Sequence, residues 1–200
     1  MLGTSSIRTT SATKLLDAAE ELFFSHGIHA TPVDAVIERA GVSAATMYRG
    51  YASKEALLAA TLARRQDEWL ETWDAAIARQ ETREGRILAV FDALDTFRGH
   101  RVRAQWCAFL GAAAEYADAP TEVRDAIDTD TESLRGRLTA SIAGDATPSP
   151  EDGELAEALL LIVSGDLAMR LRDSRHTTAS ARRIAAALIR DHAKGTKLDR

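Results

Sequence analysis

The run AGVSAATMYRGYASKE, Ala40 to Glu55, decides how this chain folds. Gly41 can take the left-handed backbone conformation that ends a helix, Val42 can turn inward, and Ser43 can cap a new helix beginning at Ala44. That helix, Ala44 to about Tyr51, is too short to stand alone and must dock on its neighbours. Ser53 then caps a long helix that starts at Lys54. A helix, a tight glycine-containing turn and a second short helix form a helix-turn-helix unit, whose second helix enters the DNA major groove. The small side chains of Ala44 and Ala45 suit a close approach to bases, since an alanine methyl can touch a thymine methyl.

Working backwards, Ser11 is placed to cap a first helix carrying Leu15, Ala18, Ala19, Leu22 and Phe23 on one face and ending at Gly27. Thr31-Pro32 opens the second, with threonine as N-cap and proline at the first helical position. Working forwards, the fourth helix carries Leu58, Leu62, Trp69, Trp73 and Ile77 at near-helical spacing. Further helices are expected over about Glu84–Phe97, Val102–Tyr116, Thr121–Ile142, Glu154–Arg172 and Thr178–His192. Breaks fall at Arg98-Gly99-His100, at Asp118-Ala119-Pro120, and between Gly144 and Gly153. Strand signals are nearly absent, and the ends before Thr9 and after Lys194 are polar. The expectation is an all-α fold of about nine helices.

At 200 residues, with 46% hydrophobic and 28% charged composition, the chain is long enough for a sizeable core. One cysteine, Cys107, excludes an intramolecular disulfide, and the opening residues lack the charged and apolar regions of a secretion signal. No apolar run approaches the roughly 18 residues of a membrane helix. These features read as a cytoplasmic protein with no membrane partner. The net charge of −5 argues against nucleic-acid binding by bulk electrostatics, so any DNA binding must be local. In the first 55 residues Arg8, Lys14, Arg39, Arg49 and Lys54 are outnumbered by Asp17, Glu20, Glu21, Asp34, Glu38 and Glu55, although the cations could share a face.

Enzyme chemistry finds little footing. His26, His29, His100, His176 and His192 are scattered, no glycine-rich phosphate loop is present, and no cysteine pair offers a zinc site. The expectation is a non-enzyme without cofactor or metal.

From about Arg8 to Glu55, with LLDAAEELFFSHGIHATPVDAVIERAGVSAATMYRGYASKEALL at its heart, the chain resembles the N-terminal domain of the TetR family of bacterial transcriptional regulators. The combination of AGVS, Thr46, Tyr48 and SKE followed by leucine carries the resemblance. It implies a DNA-binding domain over residues 8–60 and a ligand-binding and dimerisation domain over 61–200. It further implies that Thr31, Ser43, Thr46, Tyr48 and Lys54 hold phosphates, while Ala44, Ala45 and Arg49 face the groove. Phosphate contacts set register and base contacts specify sequence. The chain departs from the family at Ala45, where glycine is common, at Ile37, where alanine is frequent, and at Tyr51, where phenylalanine is usual. At Gly50 the family often has an aromatic or histidine. Glycine there is expected to forgo one phosphate contact and to loosen the end of the recognition helix.

The resemblance also implies a homodimer, in which the last two helices pair with their copies through Leu155, Leu159, Ile162, Val163, Leu167, Ile184, Leu188 and Ile189. Two-fold symmetry doubles the short site that one recognition helix can read. QWCAFLGAAAEYADAP, Gln105 to Pro120, combines aromatics with small residues. Such a segment can border a ligand pocket or allow close helix packing against Gly111 and Ala114. Trp73, Phe91, Trp106, Cys107, Phe109, Leu110 and Tyr116 are the candidates to line a pocket. The function these features suggest is a ligand-responsive repressor binding a palindromic DNA operator as a homodimer, its effector a small and largely apolar molecule. The alternative is a helical dimer that binds a ligand or protein and keeps the helix-turn-helix as scaffold.

Overall fold

The computed structural model describes residues 7–100, 107–173 and 175–198. Among these it contains nine α-helices and no strand: α1 (Thr9–His26), α2 (Val33–Ala40), α3 (Ala44–Gly50), α4 (Lys54–Ala78), α5 (Arg83–His100), α6 (Ala108–Glu115), α7 (Thr121–Ala143), α8 (Pro150–Arg172) and α9 (Ala179–Leu198). The expected all-α architecture is what forms. The chain divides into two compact units, one of residues 1–66 with 103–128 and one of residues 67–102 with 129–200.

The first unit is organised by α1, which packs on α2 and α3. Its core joins Leu15, Phe23 and Phe24 of α1, Val36 of α2, Met47 of α3 and Leu57, Leu58 and Leu62 of α4, with Phe109 and Ala112 of α6 added from a distant part of the sequence. Residues 103–128, read from the sequence as part of a second domain, thus group with the N-terminal helices. Ion pairs reinforce α1 against α4. Glu20 is buried, and its two carboxylate oxygens accept from Arg64 and Arg65, each at 2.8 Å, while Arg64 also reaches Asp17 at 2.7 Å. A buried carboxylate is tolerable here because both oxygens are met by guanidinium donors.

The second unit centres on Trp69, Trp73 and Ala76 of α4, Phe91 and Leu94 of α5, Leu138 and Ile142 of α7, and the inner faces of α8 and α9. The two tryptophan rings pack tilted with centroids 5.6 Å apart, and Phe97 meets Trp69 edge-on at 5.7 Å. The loop from α8 to α9 is tied down on both sides. His176 Nε2 lies 2.8 Å from the buried Asp166 Oδ1, and the Thr178 hydroxyl donates to Asp95 at 2.7 Å.

Helix starts differ from the sequence reading where a cap competes with a proline or with a fold contact. α1 begins at Thr9, two residues before Ser11, with the backbone carbonyl of Arg8 accepting from Ser11 and Ala12. Ser11 therefore lies inside the helix. α8 begins at Pro150, not Glu154, because Ser149 forms a capping box with Asp152 and proline is well suited to the first helical position. Burial pushes the Asp152 carboxyl up, but the Ser149 backbone N–H and the neighbouring His192 outweigh it and hold the pKa below its usual value. α5 continues to His100 through the break expected at Arg98.

Candidate nucleic-acid interface

The local geometry between α2 and α3 is a helix-turn-helix. Gly41 sits at φ 63° and ψ 40°, and its N–H donates to the Glu38 carbonyl at 3.1 Å while that of Val42 donates to Ile37 at 3.3 Å. This closes α2 with a left-handed residue, the conformation glycine adopts without the cost a Cβ imposes. Ser43 then starts α3: the Thr46 N–H donates to Ser43 Oγ at 3.1 Å, and the two hydroxyls are 2.9 Å apart. The next start repeats the device, with the Ala56 N–H donating to Ser53 Oγ at 3.0 Å.

Met47 anchors α3. It is fully buried, packing in the first unit's core, and Val42 and Tyr51 lean against the same core from either side. With Met47 turned in, the opposite face of α3 is turned out. Ser43, Ala44, Ala45 and Arg49 are exposed, Tyr48 is 53% exposed, and Thr46 is half-buried. Tyr51, by contrast, is half-buried, and burial raises its phenol pKa against the lowering effect of Arg64. The two tyrosines thus have different surroundings: one extends into solvent from the ridge, the other supports the helix from beneath.

Lys54, at the start of α4, is half-buried with Nζ 5.8 Å from the centre of the Phe23 ring, a cation–π distance. Thr31 stands apart from the other expected contacts. It is 4% exposed, and its hydroxyl donates to the Gly27 carbonyl at 2.7 Å and to Leu22 at 3.3 Å. The N-cap position of α2 belongs to Pro32, with no side-chain cap. Thr31 closes the α1–α2 loop inward, so its hydroxyl is not turned towards an external phosphate.

The turn, the caps, the single buried anchor and the outward face coincide with residues 15–61, which match the model of the tetR family of bacterial regulatory proteins. Residues 15–61 thus form a TetR-type DNA-binding domain. A curated relative, the HTH-type transcriptional activator FasR of Mycolicibacterium smegmatis, is 33% identical over 87 residues, covering 44% of this chain and 40% of FasR. The chain spans half or less of the length of the curated relatives it matches. Among solved structures, a TetR-family transcriptional regulator from Streptomyces coelicolor aligns with a TM-score of 0.77 at 25% identity, over 92% of this chain and 90% of that one. A TetR-family regulator from Cytophaga hutchinsonii shares the fold, with a TM-score of 0.78 at 15% identity over 90% of this chain and 94% of its own.

Outside the TetR-type domain the expected site residues distribute unevenly. Trp73 and Phe91 are buried in the core of the second unit, whereas Phe109 belongs to the core of the first, with Cys107 and Tyr116 packed against it. Leu110 is half-buried on α6 of that first unit, and Trp106 lies outside the described residues. The indole Nε1 of Trp73 is buried with no hydrogen-bond partner among the described residues. A cavity of about 180 Å³ in the second unit is lined by Arg83, Ile87, Ile142, Leu155, Ile189 and His192, none of them expected to line a pocket.

The residues expected at a dimer interface separate into two sets. Leu155, Leu159, Val163 and Ile189 are buried in their own unit, and Ile162 and Leu167 are half-buried against it. Ile184 and Leu188 are exposed, at 56% and 37%, and they are joined by Leu161 at 73%, which the sequence reading did not single out. Both α8 and α9 are apolar on more than one side, and the repeat alone does not say which side its own core takes.

Sequence reasoning also missed Glu115. Its carboxylate accepts from the backbone N–H groups of Ile28 at 2.8 Å and His29 at 2.7 Å, while His29 Nε2 lies 2.8 Å from the Glu115 carbonyl oxygen. The His29 and Tyr116 rings are 4.6 Å apart. These contacts hold the loop that leads into α2. Burial, with the negative charges of Glu55 and Glu115, pushes the Tyr116 phenol up to about 12. Nothing in the pairing of residues 28 and 115 is visible at the level of local sequence.

Proposed function

We propose that this chain is a transcriptional regulator, not an enzyme, that binds double-stranded DNA through the outward face of α3. The observation that carries the reading is the opposition on that helix: Met47 is fully buried, while Ala44, Ala45, Tyr48 and Arg49 face solvent. Two alanines leave room for backbone and side chains to enter the groove, Arg49 supplies a donor for bases, and Tyr48, Ser43, Thr46 and Lys54 surround them as phosphate contacts. The cytoplasm is the compartment in which it acts, and no helix among the described residues is long and apolar enough to cross a membrane.

The finer reading is a homodimeric, ligand-responsive repressor of a palindromic operator. Leu161 of α8 and Ile184 and Leu188 of α9 are exposed apolar side chains, suited to pairing with a second copy. The indole N–H of Trp73, buried and without a partner among the described residues, supports a small, largely apolar effector that brings one hydrogen-bond acceptor into the second unit. Such a ligand acts by binding the DNA-bound and free conformations with different affinities.

Selection of bound duplexes from a random pool by the purified protein, at two salt concentrations, tests the reading. The expected product is a palindrome with half-site centres about one helical turn or slightly more apart, bound more weakly as salt rises. No enrichment at low salt would instead favour a ligand- or protein-binding dimer that keeps the helix-turn-helix as scaffold. A reporter placed behind the selected operator then reads the sign of regulation.

A further inference from the structure

The described arginines of the first unit fall into two groups, those paired with carboxylates, Arg124 with Asp118 among them, and those that are not. Arg39 pairs with Glu21 at 2.6 Å, and Arg64 and Arg65 are held by Asp17 and Glu20. Arg8 and Arg49 are exposed and meet no carboxylate among the described residues. Arg49 already lies on the outward face of α3. Arg8 is 41 residues away in sequence but not in space, because its neighbour Ile7 packs on Gly50, the last residue of α3. A Cβ built on Gly50 would stand 2.8 Å from Ile7 Cδ1, 3.1 Å from Cγ2 and 3.2 Å from Cβ.

That contact changes the meaning of Gly50. Read from the sequence, it loosens the end of the recognition helix. In the structure it is the space that Ile7 fills, and Ile7 is half-buried against the first unit's core. An apolar residue seated there fixes where the chain enters α1. The Arg8 carbonyl is committed to the first turn, accepting from Ser11 at 2.9 Å and Ala12 at 3.0 Å, while its side chain makes no cap hydrogen bond. The backbone that carries the exposed Arg8 side chain is thereby held next to the end of α3 that carries Arg49.

We propose that Arg8 is a further DNA-backbone contact, with Ile7 and Gly50 as the residues that position it. The inference rests on the DNA reading of α3. The predicted role is sequence-independent: a guanidinium against a phosphate adds affinity and salt sensitivity without choosing bases.

The test uses the full-length protein and its selected duplex, with affinities measured across a salt series. Arg8→Ala should weaken binding about 3- to 10-fold at 0.1 M salt and reduce the slope of log K against log salt by about one, equally on matched and mismatched sites. Arg79→Ala, which removes an exposed cation from the second unit, should leave both unchanged. Gly50→Ala is the sharper variant. Alanine improves helix propensity, so a merely loose helix end would be tightened and binding would strengthen. If the space belongs to Ile7, the same variant displaces Ile7 and weakens binding, as should Ile7→Ala. Wild-type affinity and slope for Arg8→Ala, or tighter binding by Gly50→Ala, would overturn the proposal while leaving the role of α3 intact. Failure of the wild-type protein to bind any duplex would overturn the DNA reading itself.

Discussion

Two short helices of the first unit, α3 with seven residues and α6 with eight, are built on opposite principles. α3 turns one residue in, Met47, and presents most of the rest to solvent. α6 turns Ala108, Phe109, Gly111 and Ala112 in, and its last residue, Glu115, reaches back to hold the α1–α2 loop. Neither length supports an isolated helix. α3 is stabilised locally, by the Ser43 cap and the Gly41 turn, together with one anchor. α6 is stabilised by burial and by bonds to residues 86 and 87 positions earlier. A helix that must meet a partner keeps its face clear and takes its order from its ends. A helix that must hold a scaffold spends its face on the core.

The contrast can be broken most directly at its anchor. Met47→Ala leaves a cavity under the recognition helix and should cost about 2–5 kcal/mol in denaturant unfolding. A loss well under 1 kcal/mol would mean that the caps alone hold α3. Next in size is Glu115→Ala, which removes a charged acceptor from two backbone donors and should cost about 1.5–3 kcal/mol. Hydrogen exchange reads it at the residues concerned: the Ile28 and His29 amides should exchange about 10- to 150-fold faster, with the Thr46 amide unaffected. Unchanged protection at Ile28 and His29 would dissolve the distinction between a locally and a distantly supported helix.

On the outward face the expected effects concern DNA. Arg49→Ala should lower discrimination at one base pair by about 1–3 kcal/mol, whereas Tyr48→Ala should weaken all sequences alike. Competition binding against single-base variants of the selected site separates these outcomes, and equal losses everywhere for Arg49→Ala would move it among the phosphate contacts. Smaller still, Ser43→Ala should cost about 1 kcal/mol through the lost cap, read as faster exchange of the Thr46 amide.

The smallest effect is a titration at the α6 end. The Tyr116 phenol, raised from 10.0 to about 12 in the fold, stays neutral when an unfolded tyrosine would ionise. Its contribution to stability is therefore complete below pH 10 and is lost as pH rises towards 12. Absorbance titration of the wild type against Tyr116→Phe should lose the late-ionising phenol, and a phenol lost near pH 10 would show that α6 does not enclose it.

The same contrast explains what could be read from sequence. Gly41, Ser43 and Ser53 are local signals, each acting within a turn of its own position, and their geometry follows from residue type. Thr31 follows a local rule and still departs from it, because two inward carbonyls compete for its hydroxyl. The grip of Glu115 and the seat of Ile7 on Gly50 depend on contacts between distant segments, which no periodicity encodes. On α8, Leu155 and Leu161 both belong to apolar patterns, but only folding of the surrounding unit decides that the first is buried and the second left outside.

The pairing of Arg39, Arg64 and Arg65 with their own carboxylates also bears on how such a protein would find its target. A regulator with a broad basic surface spends its time bound to arbitrary stretches of chromosome, sliding and hopping between them. A chain of net charge −5 that pairs Arg39, Arg64 and Arg65 with its own carboxylates would have little hold on DNA away from a specific site. Its search would proceed through free diffusion and brief collisions, and fewer copies would be sequestered on the genome. The few unpaired cations at the end of α3 then decide whether an encounter lasts.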